Sequence, residues 1–266
     1  PADKLWDPVR EFWQESGFNL TTDQAAIGIM ETDWAENRAK IPQDFIRSTI
    51  GKVFDGLYST GERDKFRTRV ERNANGGTEI YITHRGMQEV YSNQSKDSTV
   101  WQARPTDPEL EAEFLRRLTV KLGVAQEQSK ALVAATAAGT APQAPARVTT
   151  VNNVPVLQLN DGFDRAWRRV GLTLDRTGFT VEDRDRSQGL YFVRYIAPTG
   201  DKKEPGFFAK YLSFGSSNTA IAPLKYRVSV RSEGNATTVS VLNAAGAPET
   251  SADAQRILQV IAADSK

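Results

Sequence analysis

The sequence contains the same pattern of residues twice, and this internal repeat restricts the fold more than any other feature. The two copies align at a constant offset of 161 positions across their first third. The aligned pairs are Trp6 and Trp167, Val9 and Val170, Gly17 and Gly178, Phe18 and Phe179, Gly28 and Gly189, Ile29 and Leu190, and Trp34 and Tyr195. This constant register predicts two copies of one domain. A chain of 266 residues with 39% hydrophobic residues is long enough to give each copy its own core.

The later parts of the two copies remain aligned after small changes in the offset. Residues 65–70 match residues 225–230 at an offset of 160, and residues 78–82 match residues 237–241 at an offset of 159. Small insertions or deletions explain both changes. The order of elements is therefore predicted to be the same in the two copies.

Each copy is predicted to begin with an amphipathic helix that is followed by two short strands. Trp6, Val9 and Trp13 fall on one face of a helix, and the aligned residues of the second copy do the same. Gly17 and Gly178 follow the last periodic residues, which is a typical helix end. The predicted strands cover residues 18–20 and 28–34 in the first copy and residues 179–181 and 190–195 in the second.

A hairpin and a second amphipathic helix complete each predicted copy. Residues 73–77 and 233–235 carry the Asn and Gly residues of tight hairpin turns. Asp107 is the predicted N-cap of the helix in the first copy, and Pro108 is its first residue. The inward-facing residues are expected to be Leu110, Phe114, Leu115, Leu118 and Leu122 in the first copy and Ile257, Leu258 and Ile261 in the second. These patterns predict an α+β fold in which each antiparallel sheet packs against an N-terminal helix and a long C-terminal helix.

Composition argues against several classes of chemistry. The chain has no Cys, which excludes disulfides, thiolate nucleophiles and Cys-based zinc sites. One His and scattered carboxylates give no metal-ligand spacing, and no phosphate-binding glycine pattern is present. The net charge of +1 is too small to indicate a nucleic acid partner, and no apolar run is long enough to cross a bilayer. We therefore expect a non-enzymatic protein with no catalytic, cofactor or metal site.

Three polar residues are candidates for chemistry, but each has a simpler structural interpretation. His84 is expected just after a strand, and its neighbours do not form the pattern of a nucleophile system. A structural or solvated side chain is favoured there. Glu31 and Asp33 are expected on one face of a strand, where solvated carboxylates are far commoner than a catalytic pair.

A row of basic residues alternates along the third predicted strand. Its members are Arg63, Lys65, Arg67 and Arg69, and the second copy repeats it in part with Lys225, Arg227 and Arg231. Acidic residues stand nearby in the sequence. A solvent-facing row with ion pairs is therefore favoured over a site for anionic lipids or nucleic acid.

The insert between the second and third strands of each copy is the main candidate for an interaction surface. Apolar residues at three- and four-residue steps predict an amphipathic helix over residues 42–57. The corresponding insert of the second copy contains a dense aromatic run. Such segments either fold onto their own domain or present an apolar patch to a partner, and the pattern leaves both interpretations open. The candidate partner-binding residues are Phe45, Ile46, Ile50, Phe54, Phe207, Phe208, Tyr211 and Phe214.

Beyond these patterns, the sequence resembles the BamC family of lipoproteins over nearly its whole length. The resemblance is carried by residues 163–167 and 186–189 in the second copy and by residues 37–42 in the first. It implies two helix-grip domains, a lipid-bearing Cys near the mature N-terminus, and a place in the complex that inserts outer-membrane proteins. The chain opens on Pro1, so we expect this Cys, and the long segment through which the family contacts BamD, to lie upstream.

The repeat and the resemblance together give the expected organisation and function. We expect helix-grip-like domains at residues 1–124 and 151–266, joined by an Ala/Thr/Pro-rich linker at residues 125–150 whose start is compatible with a helix. The resemblance implies a scaffolding subunit of the β-barrel assembly (BAM) complex, lipid-anchored on the periplasmic side of the outer membrane, with BamD and BamA as partners. The alternative is a small-molecule or lipid carrier with a cavity between sheet and long helix. The carrier is excluded if Phe114, Leu118, Ile257 and Ile261 fill that space.

Overall fold

The chain forms two α+β units, one for each copy of the repeat. A computed structural model describes residues 2–35, 61–73, 75–92, 94, 96–138, 146–177, 179–195 and 224–264. The described residues up to 138 belong to the first unit, and those from 146 onward belong to the second. Both units contain an antiparallel sheet and helices, which confirms the predicted fold class.

The first unit is built on a five-stranded antiparallel sheet. Its elements in chain order are α1 (Ala2–Glu15), β1 (Leu20–Gln24), a short 3-10 turn (Ala25–Ile27), β2 (Ile29–Thr32), β3 (Glu62–Arg72), β4 (Thr78–Tyr91), β5 (Thr99–Arg104), α2 (Pro108–Lys121) and α3 (Gln126–Ala138). The strands lie in the order β1-β2-β3-β4-β5. Asp107 caps α2 as predicted, because its carboxylate accepts the backbone N–H groups of Glu109 and Leu110 at 3.0 and 3.1 Å.

The second unit is built on a six-stranded antiparallel sheet. Its elements are β6 (Arg147–Val151), β7 (Val154–Leu159), α4 (Phe163–Arg176), β8 (Thr180–Asp185), β9 (Leu190–Tyr195), β10 (Leu224–Glu233), β11 (Ala236–Asn243) and α5 (Ala252–Asp264). The strands lie in the order β6-β7-β11-β10-β9-β8.

The repeated part of each unit is a helix, four strands and a C-terminal helix. Strands β1 to β4 and β8 to β11 follow the same neighbour order. The turn between the first two strands has the same geometry in both, because Gly28 and Gly189 adopt positive φ angles of 62° and 65°. Their carbonyl oxygens accept the N–H groups of Val70 and Val230, each at 2.8 Å. The alignment found in the sequence is thus reproduced in the backbone hydrogen bonds.

The two tryptophans that define the repeat are both buried, but their partners differ. Trp6 is 7% exposed, and its indole N–H donates to Asp23 at 2.8 Å. Trp167 is fully buried, and its ring stacks on Tyr191 with a centroid distance of 3.9 Å. The two positions are equivalent in burial and in chain position, and their local packing has diverged.

Side chains fill the space between each sheet and its C-terminal helix. In the first unit Phe114 and Leu118 of α2 are buried against a cluster of aromatic rings from α1 and β3. In the second unit Ile257 and Ile261 of α5 are buried in the corresponding core. This close packing argues against a carrier cavity between sheet and helix.

Three described strands lie outside the sequence-based prediction. These are β5 and the hairpin of β6 and β7. Helix α3 lies at the start of the predicted linker, where the sequence is compatible with a helix. The predicted linker at residues 125–150 overlaps both α3 and β6, so the second sheet begins at Arg147, earlier than the predicted domain. Residues 139–145, between α3 and β6, lie outside the described residues.

Candidate functional site

A group of charged side chains in the first unit lies on the face of the sheet that points away from α1 and α2. Side chains alternate along β3, so Phe66 and Val70 enter the helix-side core. Lys65, Arg67 and Arg69 therefore point to the opposite face, as the sequence predicts for the basic row. We call this surface the charged face; it also includes Glu31 of β2 and Arg85 of β4, which pair with β3 across the sheet.

Glu31 is the centre of the charged face. Its carboxylate accepts charged hydrogen bonds from Lys65 Nζ at 2.5 Å, from Arg67 Nε at 2.7 Å and from Arg85 Nη2 at 3.1 Å. Burial by itself raises the pKa of this carboxyl, but the combined attraction of the three cations outweighs burial and lowers the pKa to about 2. The group therefore stays ionised at neutral pH and holds no proton for acid catalysis.

The expectation that Glu31 and Asp33 form a solvated pair on one strand face is wrong. Glu31 is buried, with a side-chain exposure of 10%, because cations from β3 and β4 surround it. Asp33 lies beyond the end of β2 and is exposed. The two carboxylates have different surroundings, which argues against a shared catalytic role.

The basic row is also less solvated than the sequence predicts. Arg69 is 1% exposed, pairs with Glu71, and lies over the ring of Tyr81 at 4.2 Å. Arg63 lies over the ring of Trp101 at 4.0 Å. Ion pairs are present as expected, but they are largely buried, so the row is part of the folded structure of the sheet.

His84 lies inside β4, and the prediction that it follows a strand is wrong. It is fully buried, and its Nε2 lies 2.8 Å from Asp64 Oδ1. Its Nδ1 accepts the backbone N–H of Asp107 at 3.1 Å, so the Nε2–H is the donor to Asp64. The His84 backbone N–H donates to Glu111 at 2.9 Å.

These contacts make His84 a structural link between the sheet and the start of α2. Asp64 also accepts a hydrogen bond from Arg104 of β5, so one carboxylate joins β3, β4 and β5. Within the described part of the chain, the polar contacts of the ring include no hydroxyl or thiol. The ring therefore has no nucleophile to activate there, in agreement with the structural interpretation of His84.

A buried ion cluster in the second unit has a comparable structural role. The Asp161 carboxylate forms ion pairs with two arginines of α4, with Arg165 Nε at 3.2 Å and with Arg169 Nη1 at 2.9 Å. Its carbonyl oxygen accepts the hydroxyl of Thr237 in β11 at 2.5 Å. The cluster fixes the first turns of α4 to the sheet.

Among the described residues of both units, no group of three or more His, Asp or Glu side chains is arranged to hold a metal ion.

The candidate partner-binding residues of both inserts lie outside the described residues. They are Phe45, Ile46, Ile50, Phe54, Phe207, Phe208, Tyr211 and Phe214. Their assignment as a docking surface is therefore a proposal from the sequence.

In the described ranges, no helix combines the length and apolar content that crossing a membrane requires.

Two protein-family models together match almost the entire chain. The model of the outer membrane protein assembly factor BamC-like N-terminal domain matches residues 2–136, and the model of the BamC-like C-terminal domain matches residues 146–264. These matches fall on the two structural units described above.

Two curated proteins with similar sequences carry the same description, and a third similar protein is uncharacterized. The chain is 52% identical to the outer membrane protein assembly factor BamC of Accumulibacter regalis, over 97% of the chain and 68% of that protein. It is 51% identical to the protein of the same name from Thiobacillus denitrificans, over 97% of the chain and 70% of that protein. An uncharacterized protein of Neisseria meningitidis serogroup B is 38% identical over 97% of the chain and 65% of its own length.

Proposed function

Because the chain belongs to the BamC family of outer membrane protein assembly factors, we propose that it is a non-enzymatic binding subunit of the machinery that inserts β-barrel proteins into the outer membrane. The observation that carries this proposal is the match of both structural units to the two BamC domain models. The proposed location is the periplasmic side of the outer membrane, with a lipid anchor upstream of Pro1.

The chemistry of the described residues supports a binding role over an enzymatic one. Glu31 and His84 are the strongest candidates for acid-base work, and both are held in buried structural contacts. The carrier alternative loses support because Phe114 and Ile257 occupy the space between sheet and C-terminal helix where a ligand would lie.

We propose that the two inserts supply the docking energy and that BamD and BamA are the partners. A few buried anchor residues, aromatic ones in particular, carry most of the binding energy of a protein interface when they fill pockets in the partner. The first insert offers Phe45, Ile46, Ile50 and Phe54, and the second offers Phe207, Phe208, Tyr211 and Phe214.

The proposal is tested by recovery of the assembly complex with a variant of the second insert. Replacing Phe207, Phe208 and Tyr211 together by Ser is expected to reduce the amounts of BamD and BamA recovered with the tagged protein. The circular-dichroism melt is expected to stay nearly unchanged. The matched control is Tyr91→Ser, which removes a side chain that is 59% exposed on β4 and is expected to leave recovery unaltered.

Two outcomes contradict this assignment of the docking residues. Unchanged recovery of both partners means that these rings do not contact the complex. A large fall in melting temperature means that the rings belong to a domain core.

A further inference from the structure

The two sheets differ in what lies beside the last repeated strand, which is β4 in the first unit and β11 in the second. In the second unit β11 has a neighbour on each side along its first half, because Thr237 and Val239 pair with Leu159 and Leu157 of β7. In the first unit the equivalent strand is β4. Its partner β5 pairs only with residues 86–91 of β4. No described strand lies beside residues 78–82 on the side away from β3.

The backbone groups of β4 that face this open side can be identified from the hydrogen bonds. The Asn73 N–H donates to Gly77 at 2.9 Å, and the Glu89 N–H donates to Gly61 at 2.7 Å, so odd-numbered residues of β4 bond to β3. Backbone groups alternate in direction along an antiparallel strand. The even-numbered residues, Thr78, Ile80 and Ile82, therefore direct their N–H and C=O groups to the open side.

The backbone N–H of His84, the next even-numbered residue, also points to the side away from β3. The His84 N–H donates to a side-chain oxygen of Glu111, which takes the place of a strand neighbour. The counterparts of Thr78 and Ile80 in the second unit are Thr237 and Val239, which both face β7. The counterpart of Ile82 is Val241, whose carbonyl accepts the N–H of Glu249 at 3.0 Å.

An open edge at this position is costly because part of it is buried. Ile82 is only 5% exposed, and a buried backbone group without a partner costs about 1–3 kcal/mol. Unpaired strand edges also invite pairing with other chains. The position therefore favours the addition of a strand.

Two apolar side chains that pack against the core of the first unit are incompletely covered. They are Leu115 of α2 and Leu122, the C-cap that follows this helix, and both are only partly buried. In the second unit Leu258 of α5 is fully buried, and Leu157 and Leu159 of β7 are buried in the same core. Among its described residues, the first unit has no counterpart of the apolar side chains that β7 supplies in the second.

We propose that a strand from the residues preceding Pro1 in the longer protein fills this open side of β4. In the second unit three residues separate the end of β7 from the start of α4. By the register of the repeat, its counterpart lies within the roughly ten residues upstream of Pro1. The chain spans 68% and 70% of two relatives, so proteins of this family contain further sequence. The added strand runs antiparallel to β4 and places two apolar side chains over α2.

The test compares amide hydrogen exchange in the chain of residues 1–266 with that in the mature chain that includes its preceding residues. The N–H groups of Thr78, Ile80 and Ile82 are expected to exchange at least about tenfold more slowly in the longer chain. The matched controls are the N–H groups of Glu79 and Tyr81, which bond to β3 and are expected to be protected equally in both chains.

Two results overturn the proposal. Equal exchange of the three even-numbered amides in both chains shows that the preceding residues do not pair with β4. Protection that appears only after BamD or BamA is added shows that a partner supplies the strand instead.

Discussion

Replacing Glu31 by Gln tests how the charged face is held together. The substitution keeps the size of the side chain but removes the charge that Lys65, Arg67 and Arg85 share. The pKa of Glu31 is lowered from 4.5 to about 2, because the attraction of these cations outweighs the effect of burial, which raises it. At 1.36 kcal/mol per pKa unit, this shift corresponds to about 3 kcal/mol of folding free energy at neutral pH. We expect Glu31→Gln to lower the free energy of unfolding by about that amount at pH 7.

The pH dependence provides a second, independent signature. A carboxyl whose pKa is lower in the folded state stabilises the protein above its unfolded pKa and loses this effect as the pH falls toward its folded pKa. The difference between the wild type and Glu31→Gln should therefore be full above about pH 5 and should shrink to about 1 kcal/mol near pH 3.

The assay is denaturant unfolding at pH 7, 5 and 3, followed by tryptophan fluorescence. This signal reports mainly on the first unit, because Trp167 is the one tryptophan in the other copy of the repeat. Asp33→Asn is the control, since Asp33 is exposed and its loss should change stability by less than about 0.5 kcal/mol. A Glu31→Gln effect as small as that of the control, or one that is constant from pH 7 to pH 3, would refute the reasoning.

Three further predictions concern the fold. Gly189→Ala is expected to destabilise the second unit by about 2 kcal/mol or more in a urea titration, because a Cβ there would collide with the Val230 carbonyl. The control is Gly234→Ala, which has a similar φ of 60° but lies in open space and should cost only about 1 kcal/mol. Asp107→Ala should lower stability by about 1 kcal/mol through loss of the cap, whereas Asp107→Asn should cost less; equal losses in chemical unfolding would argue against the cap. Cutting the chain within residues 139–145 is expected to give two fragments that each melt cooperatively in calorimetry, and the two-domain division fails if neither does.

Much of the fold follows from local sequence signals. Gly28 and Gly189 mark a turn that requires positive φ, and Asp107 with Pro108 marks the start of α2. Such signals act within a few residues, and the repeat supplies the glycine turn twice. The order of the elements shared by the two units could therefore be predicted without coordinates.

The elements and contacts that were not predicted depend on the rest of the chain. The hairpin of β6 and β7 precedes the repeated segment, so the alignment gives no information about it. The burial of Glu31 depends on Arg67 and Arg85, which are distant in sequence and become neighbours only when β2, β3 and β4 pair in register. These features require knowledge of strand register, which short patterns do not specify.

The position of His84 illustrates the same limit. The residues Arg85 and Gly86 after it look like a turn, but β4 continues to Tyr91. Gly86 leaves room for Arg104, whose side chain crosses over it to reach Asp64. The glycine is thus explained by a close cross-strand approach, which becomes apparent only when β5 is in place.

Site-specific photo-crosslinking in native outer membranes tests the proposed role as an assembly subunit most directly. A photoreactive amino acid placed at Phe208 of the full-length protein is expected to form a covalent adduct with BamD or BamA, while the same group at the exposed Gln128 of α3 is not. Adducts at residue 208 that contain neither protein, or no adduct in membranes where the assembly complex is intact, would contradict the proposed function.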